Sequence, residues 1–381
     1  MDVQPYKIEV PQAILDDLQE RLAHMRWPDE VASAGWDYGA NLAYMKELAE
    51  YWLTQFDWRA QERAINAFAH YRAKIDDWDI HFIHERGRGP NPLPLIITHG
   101  WPSSFFEMLK IIPLLTDPAS HGGDPADSFD VIVPSMPGYG FSSRPTRRGI
   151  TTADIAHLWA RLMTEGLEYR RFGAHGGDIG AGVTTRLGFQ YPDQIVGIHV
   201  TAVAGPNPTP TADELSEAER AFLEIGERWE VEEGGYRHIQ ATRPQTLAYG
   251  LNDSPIGLAA WIVEKFRAWS DCSGEVERRF TKDELLTNVT IYWVTETINS
   301  SIRLYYEHRH NPRLFNPGQH FQVPCAVALT REDVDRAPRE WAERTYNVQH
   351  WTDMPRGGHF FALEEPELLA EDIRDFFRAL R

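Results

Sequence analysis

His175-Gly176-Gly177-Asp178-Ile179-Gly180 is the stretch whose reading decides the fold. Small residues on both sides of one polar side chain let a strand turn sharply into a helix, and the turn lifts that side chain out of the sheet toward bound substrate. Here the lifted group is a carboxylate. A hydroxyl that opened an alkyl electrophile would leave an ether, which water does not readily cleave. A carboxylate leaves an ester, which activated water can open at its carbonyl. Asp178 is therefore a candidate nucleophile for alkyl centres. Taken alone, the same residues also read as a glycine-rich turn with a capping aspartate, and their surroundings must decide.

Residues 171–175 form a short, partly apolar run and residues 182–187 look helical, so the strand, turn and helix that the motif requires are present. Upstream, residues 93–98 read as a buried strand that ends in His99-Gly100-Trp101-Pro102. Such a loop is placed to lend a backbone N–H, that of Trp101, to an oxyanion hole. The N–H of Ile179 supplies the other donor, and two fixed amide dipoles stabilise charge on an ester carbonyl oxygen as water attacks. A further strand at 129–134 runs into Ser135-Met136-Pro137-Gly138-Tyr139-Gly140-Phe141-Ser142, and ligands favour the carboxyl ends of such strands.

Near the C-terminus, Gly357-Gly358-His359-Phe360 follows a strand-like segment at 348–354 and precedes a helix at 366–380. A loop histidine in that position fits a general base. Between nucleophile and base, a strand at 325–330 ends in Arg331-Glu332-Asp333-Val334-Asp335. A carboxylate there could accept the second ring proton of His359 and hold its tautomer. The order nucleophile, acid, base is the hydrolase order, but periodicity does not choose among the three acids.

These residues together resemble the α/β-hydrolase epoxide hydrolases of the microsomal type, which include soluble bacterial members, some of them in enediyne pathways. The resemblance runs nearly end to end. It takes in Val10-Pro11, Arg26-Trp27-Pro28, Asp57-Trp58-Arg59, the HGWP loop, GGDxG, Asn252-Asp253-Ser254-Pro255 and GGHF. It implies that Asp178 is the nucleophile and His359 the base that activates water. It also implies that the acid stands eight residues before the tryptophan that follows a proline; with Trp341 after Pro338, that acid is Asp333 rather than Glu332. The family uses two tyrosines of an inserted cap, which match Tyr236 in Gly235-Tyr236-Arg237 and Tyr305, in preference to Tyr306, in Arg303-Leu304-Tyr305-Tyr306-Glu307. Phenol hydroxyls suit the task, because an epoxide oxygen leaves as an alkoxide unless something donates a hydrogen bond or proton to it. Ile179 departs from the tryptophan of several relatives, which makes one pocket wall aliphatic. It also counts against the closest rival chemistry, haloalkane dehalogenation, and the complete set of catalytic positions counts against a non-catalytic binding protein.

A chain of 381 residues with 42% hydrophobic content can bury a large core and an inserted cap. With 38 Lys and Arg against 56 Asp and Glu, the net charge of −18 is spread along the chain, and such a surface repels nucleic acid. Two cysteines, Cys272 and Cys325, are too few for a disulfide framework and have no metal-ligand spacing, so they suit packed thiols in a reducing compartment, the cytoplasm. The start Met1-Asp2-Val3-Gln4 has neither a basic nor an apolar leader region, and no long apolar run occurs, so a soluble protein without a membrane span is expected. No metal or organic cofactor is expected, since neither dinucleotide nor P-loop patterns stand at a strand-to-helix position.

Residues 1–75 read as a helical lead-in: Pro11 starts a helix whose Ile14, Leu15, Leu18 and Leu22 share a face, and Tyr44, Leu48, Tyr51 and Trp52 repeat the pattern. Strand runs then alternate with helical ones across 76–204, as in an α/β fold with a largely parallel sheet. A proline-rich break at 204–210 opens a mostly helical cap, 205–315, and prolines 312, 317 and 324 punctuate the return to the sheet in 316–381. The expected partner is a small, bulky, apolar epoxide of aryl type. A homodimer is implied by the resemblance alone.

Overall fold

The computed structural model describes residues 1–206, 208–312, 315–316, 318–333 and 336–381. Pro317, Val334 and Asp335, each singled out in the sequence, lie outside the described residues.

Among these residues the sheet has nine strands: β1 (Asp2–Pro5), β2 (His70–Ile75), β3 (Trp78–Glu85), β4 (Leu93–Thr98), β5 (Phe129–Pro134), β6 (Phe172–Gly176), β7 (Ile195–Val200), β8 (Pro324–Leu329) and β9 (Asn347–Asp353). Their order is β1-β2-β3-β5-β4-β6-β7-β8-β9. The pairs from β5 through β9 are parallel, and the β1, β2, β3 end joins them antiparallel. Every residue of β5, β6 and β7 is buried, as befits central strands covered by helices on both faces. Two apolar clusters fill the two sides, one containing Trp159, Phe172 and Leu187, the other Leu95, Phe129 and Phe377. The architecture is the α/β-hydrolase fold read from the sequence.

The lead-in is not purely helical, which corrects the expectation for residues 1–75. Its helices Gln12–Ala23 and Leu42–Thr54 do bury Leu15, Leu18, Leu22, Leu48 and Trp52. Yet residues 2–5 and 70–75 are strands that extend the sheet by pairing Asp2 with Lys74 and His70 with Ile83. Short strands that carry Pro5 and end a sheet lack the long alternation by which strands are recognised. The lead-in thereby belongs to the core and also grips the helices inserted between β7 and β8. Arg21 pairs with Asp253 at 2.7 Å, Lys282 with Glu47 at 2.9 Å, and the Tyr51 hydroxyl donates to Asp283 at 3.0 Å.

Among the described residues, six longer helices lie in that insertion: Glu217–Glu232, Gly235–Thr242, Pro244–Leu251, Pro255–Trp269, Lys282–Thr295 and Ile298–His310. Sequence-local caps start several of them. Ser216 and Thr281 form capping boxes with Glu219 and Glu284, and Ser254 caps the helix that Pro255 opens. No helix among the described residues is long and apolar enough to cross a membrane.

Candidate active site

Asp178 is the first residue of the helix Asp178–Gln190, immediately beyond β6, and its backbone φ is +48°. A non-glycine residue in this left-handed region is strained unless its surroundings hold it. The glycines around it are what hold it, because they let backbone pass within contact distance. A Cβ on Gly180 would collide with the Thr98 carbonyl, and one on Gly100 with the Asp178 carboxylate itself. The motif is thus a sharp strand-to-helix turn with the geometry that a nucleophile turn needs, and Asp178 is not a simple cap: its Oδ1 accepts from the Trp101 N–H at 2.7 Å instead.

That bond brings the HGWP loop against the Asp178 carboxylate. The amide of Ile179 belongs to the first turn of the same helix, whose N–H groups have no partner within the helix. The Trp101 ring has a second part to play. It stacks on Tyr236 with centroids 5.4 Å apart and planes 5° from parallel, and meets Tyr305 edge-on at 5.8 Å. The two phenol rings are 6.0 Å apart. Burial, then Tyr236 and Asp178, hold the Tyr305 hydroxyl well above the ordinary phenol range, so it keeps its proton. Tyr306, its neighbour on the helix, stacks on His310 instead.

His359 lies in the loop after β9, with Nε2 3.7 Å from Asp178 Oδ2 and Nδ1 3.1 Å from Asp333 Oδ2. Glu332 is half exposed and pairs with Arg331 instead, so of the described acids Asp333 is the one on the imidazole. Burial pulls the imidazole pKa down, but the carboxylates of Asp333, Asp178 and Glu107 outweigh it and raise the value to about 10. The loop is fixed from two sides. The His359 N–H donates to the Trp269 carbonyl at 2.8 Å, and Glu364 accepts from the amides of Gly358, Phe360 and Asp271. The end of the helix Pro255–Trp269 and the histidine loop therefore share one buried carboxylate.

Above Asp178 a cavity of about 800 Å³ opens between the sheet and the inserted helices. Phe222, Trp229, Tyr236 and Trp269 supply its aromatic wall, Ile179 an aliphatic patch, and Asp178, Asp333 and His359 its reactive end. Residues 135–142 do not bear out the expectation of a ligand loop on this cavity. They are an internal brace: Tyr139 packs on His99 and Tyr292, and Ser300 donates to the Gly138 carbonyl at 2.6 Å.

Two groups were missed by sequence reasoning, Glu364 and Glu107. Glu107 is buried in the short helical turn Phe105–Met108, hydrogen-bonded to the Ser103 hydroxyl. The available signal, Ser104 three residues before Glu107, reads as a helix-capping pair. In the structure Ser104 does cap the turn at Phe106, but Glu107 bonds Ser103 and lines a small space with Asp178 and His359.

A carboxylate on a left-handed strand-to-helix turn, an amide on its oxygen and a histidine–acid pair beside it have the arrangement of an α/β-fold hydrolase. The chain matches the family described as "Epoxide hydrolase N terminus" over residues 3–108 and the "alpha/beta hydrolase fold" over residues 94–229. It is 38% identical to rabbit (Oryctolagus cuniculus) epoxide hydrolase 1 across 98% of this chain and 88% of that protein. Among solved structures, Aspergillus niger epoxide hydrolase superposes with a TM-score of 0.87 at 29% identity, covering 100% of this chain and 97% of the other. Juvenile hormone epoxide hydrolase of the silkworm Bombyx mori gives 0.85 at 28%, covering 100% and 94%. The chain belongs to the epoxide hydrolase family.

Proposed function

We propose that this protein converts a bulky, apolar epoxide to a vicinal diol through a covalent ester on Asp178. The observation that carries the reading is the placement of one carboxylate, with Oδ1 on the Trp101 N–H and Oδ2 facing His359, under two phenols. Asp178 Oδ2 attacks a ring carbon from behind while Tyr236 and Tyr305 donate to the departing epoxide oxygen. Oδ1 becomes the ester carbonyl oxygen, already seated on one amide donor, with the Ile179 amide as the second. His359, oriented by Asp333, then takes a proton from water, and the water oxygen attacks the ester carbonyl.

A base held at about 10 is protonated at neutral pH, but esterification changes its surroundings. Once alkylated, Asp178 carries no charge, and one of the three carboxylates that raise the imidazole no longer acts. The basicity of His359 thus falls at the step where it must be neutral. Ring opening arms the base for the second half of the cycle.

The aromatic wall and the volume of about 800 Å³ support a bulky apolar epoxide, aryl epoxides first. Two buried, free cysteines, Cys272 and Cys325, fit work in a reducing compartment such as the cytoplasm. One turnover in heavy-oxygen water with excess protein tests the mechanism. The first diol is expected to carry an unlabelled oxygen taken from Asp178, and solvent label in that first diol overturns the ester. Release of halide from a haloalkane, with no diol from any aryl or alkyl epoxide, would overturn the substrate class.

The two adjacent tyrosines give a second test. Tyr305→Phe removes one of two donors to the forming alkoxide and should slow ring opening by about 10²-fold. Tyr306→Phe, about 100° further round the helix and stacked on His310, should leave that rate unchanged. Equal losses in stopped-flow measurements would show that the hydroxyl of Tyr305 has no special place in the reaction.

A further inference from the structure

Against Asp178 and His359 the structure encloses a second, smaller space, lined also by Gly100, Trp101, Ser103, Glu107 and Gly177, with Met108 and Phe360 as its apolar wall. Its volume available to the centre of a water molecule is about 10 Å³, which is room for roughly one water. A single water there would stand against the nucleophile and the base together.

Glu107 is the one ionisable member of that lining with no part in the mechanism so far. It is 8% exposed. A buried carboxyl group is expensive unless it is paired and hydrogen-bonded, and no lysine or arginine among the described residues pairs with it. Burial pushes it up to about 7, opposed by the Ser103 hydrogen bond and by the charge of His359. Its Oε2 is taken by the Ser103 hydroxyl, which also reaches the Gly100 carbonyl at 3.3 Å. Among the described residues Oε1 has no hydrogen bond. The titratable groups that act on it electrostatically are His359, Asp178, Glu364 and Tyr292. Packing needs alone would be met by an uncharged side chain in this position, whereas an oxygen left over in a water-sized space implies a polar guest.

We propose that Glu107 is a catalytic residue of ester hydrolysis: its Oε1 accepts a hydrogen bond from the water held in this small cavity and so aims that water between His359 Nε2 and the carbonyl carbon of the Asp178 ester. The inference rests on the covalent reading above. The water oxygen bonds to Cγ of Asp178, the carbonyl electron pair moves onto Oδ1 against the Trp101 amide, and one water proton passes to His359. The other hydrogen stays on the incoming oxygen, directed at Glu107. Collapse restores the carbonyl and breaks the Cγ–O bond to the product, whose oxygen takes the proton from His359. The Asp178 carboxylic acid so formed returns its proton to His359, which gave up its own to the phenolate after ring opening, and the cycle closes. Glu107 thus fixes the direction from which water reaches the ester carbonyl.

Glu107→Gln keeps the shape of the side chain and an oxygen for Ser103 while removing the charge and, with it, the strong acceptor. Rapid-quench intact-mass measurement with styrene oxide, run beside wild type and His359→Gln, reads the two half-reactions separately. Ester formation in Glu107→Gln should match wild type, and its hydrolysis should be slower by about 10²-fold, the penalty for a misplaced reactant, so that the adduct accumulates during turnover. Hydrolysis at the wild-type rate, or equal slowing of both steps, overturns the role of Glu107. Absence of an adduct in both variants overturns the ester itself and is thereby told apart. A high-resolution crystal structure of the unmodified protein gives a check that needs no variant: an ordered water within hydrogen-bond distance of Glu107 Oε1 and His359 Nε2 is expected, and a water-free space there overturns the proposal.

Discussion

His359→Gln protein should open one epoxide per chain and then stop. Ring opening requires the Asp178 carboxylate and the phenols, none of which the substitution removes. Hydrolysis requires a base within reach of a water beside Asp178, and Nε2 of His359, 3.7 Å from Oδ2, is the group in that place. Glutamine fills similar space but takes up no proton, so deacylation loses the factor that a positioned base contributes, on the order of 10²–10⁴. The protein mass should rise by that of the epoxide, with the added mass on the peptide containing Asp178. An unmodified protein after incubation with an accepted substrate, or undiminished turnover, would remove His359 from the role of base. A stability change should accompany the trap. The imidazole is raised from an ordinary value near 6.5 to about 10 in the folded protein, so its charge contributes stability that is fully present below about 6.5 and is lost as pH rises through about 10. Wild type should therefore unfold at higher denaturant than the variant at pH 6, with the gap narrowing as pH approaches 10.

The parts of this site that were legible in the sequence are the ones that a few consecutive residues build. GGDxG, HGWP and GGHF are each a strand end and the turn beyond it, and glycine is demanded there by contacts as close as those of Gly180 with Thr98. The acid and the tyrosines are another matter. Glu332 and Asp333 differ only in which way two neighbouring loop side chains point, and Tyr305 and Tyr306 are separated by about 100° around one helix, so periodicity offered nothing and only the family resemblance selected between them. Glu107 was hidden by its own spacing from Ser104, which imitates a helix cap. The first strand escaped because Asp2–Pro5 has three of its four residues exposed and carries no core pattern. Its place is set by the partner strand His70–Ile75, far along the chain. What the sequence did not disclose is, in each instance, a direction or a long-range pairing rather than a residue type.

The nucleophile itself admits the sharpest test, because asparagine can replace Asp178 without disturbing the turn. Both residues tolerate the left-handed backbone at φ +48° better than most, and the amide oxygen of asparagine can still accept from the Trp101 N–H. Asp178→Asn should consequently fold as wild type does. A neutral amide is too weak a nucleophile to open the ring, and loss of a covalent nucleophile that works in concert with its base lowers turnover by roughly 10⁴–10⁶-fold in well-studied hydrolases. Diol formation should fall by at least about 10⁴-fold, and no adduct should appear even when His359 is also replaced by Gln. The same substitution should lower the pKa of His359, since it deletes one of the three carboxylates that raise it. Titration of the imidazole by NMR in Asp178→Asn stands in for the esterified state, in which Asp178 is likewise uncharged. A drop would support the arming of the base by ring opening, and an imidazole still held at about 10 would mean that Asp333 and Glu107 set its basicity by themselves. Diol production by Asp178→Asn within tenfold of wild type would show that water attacks the epoxide directly.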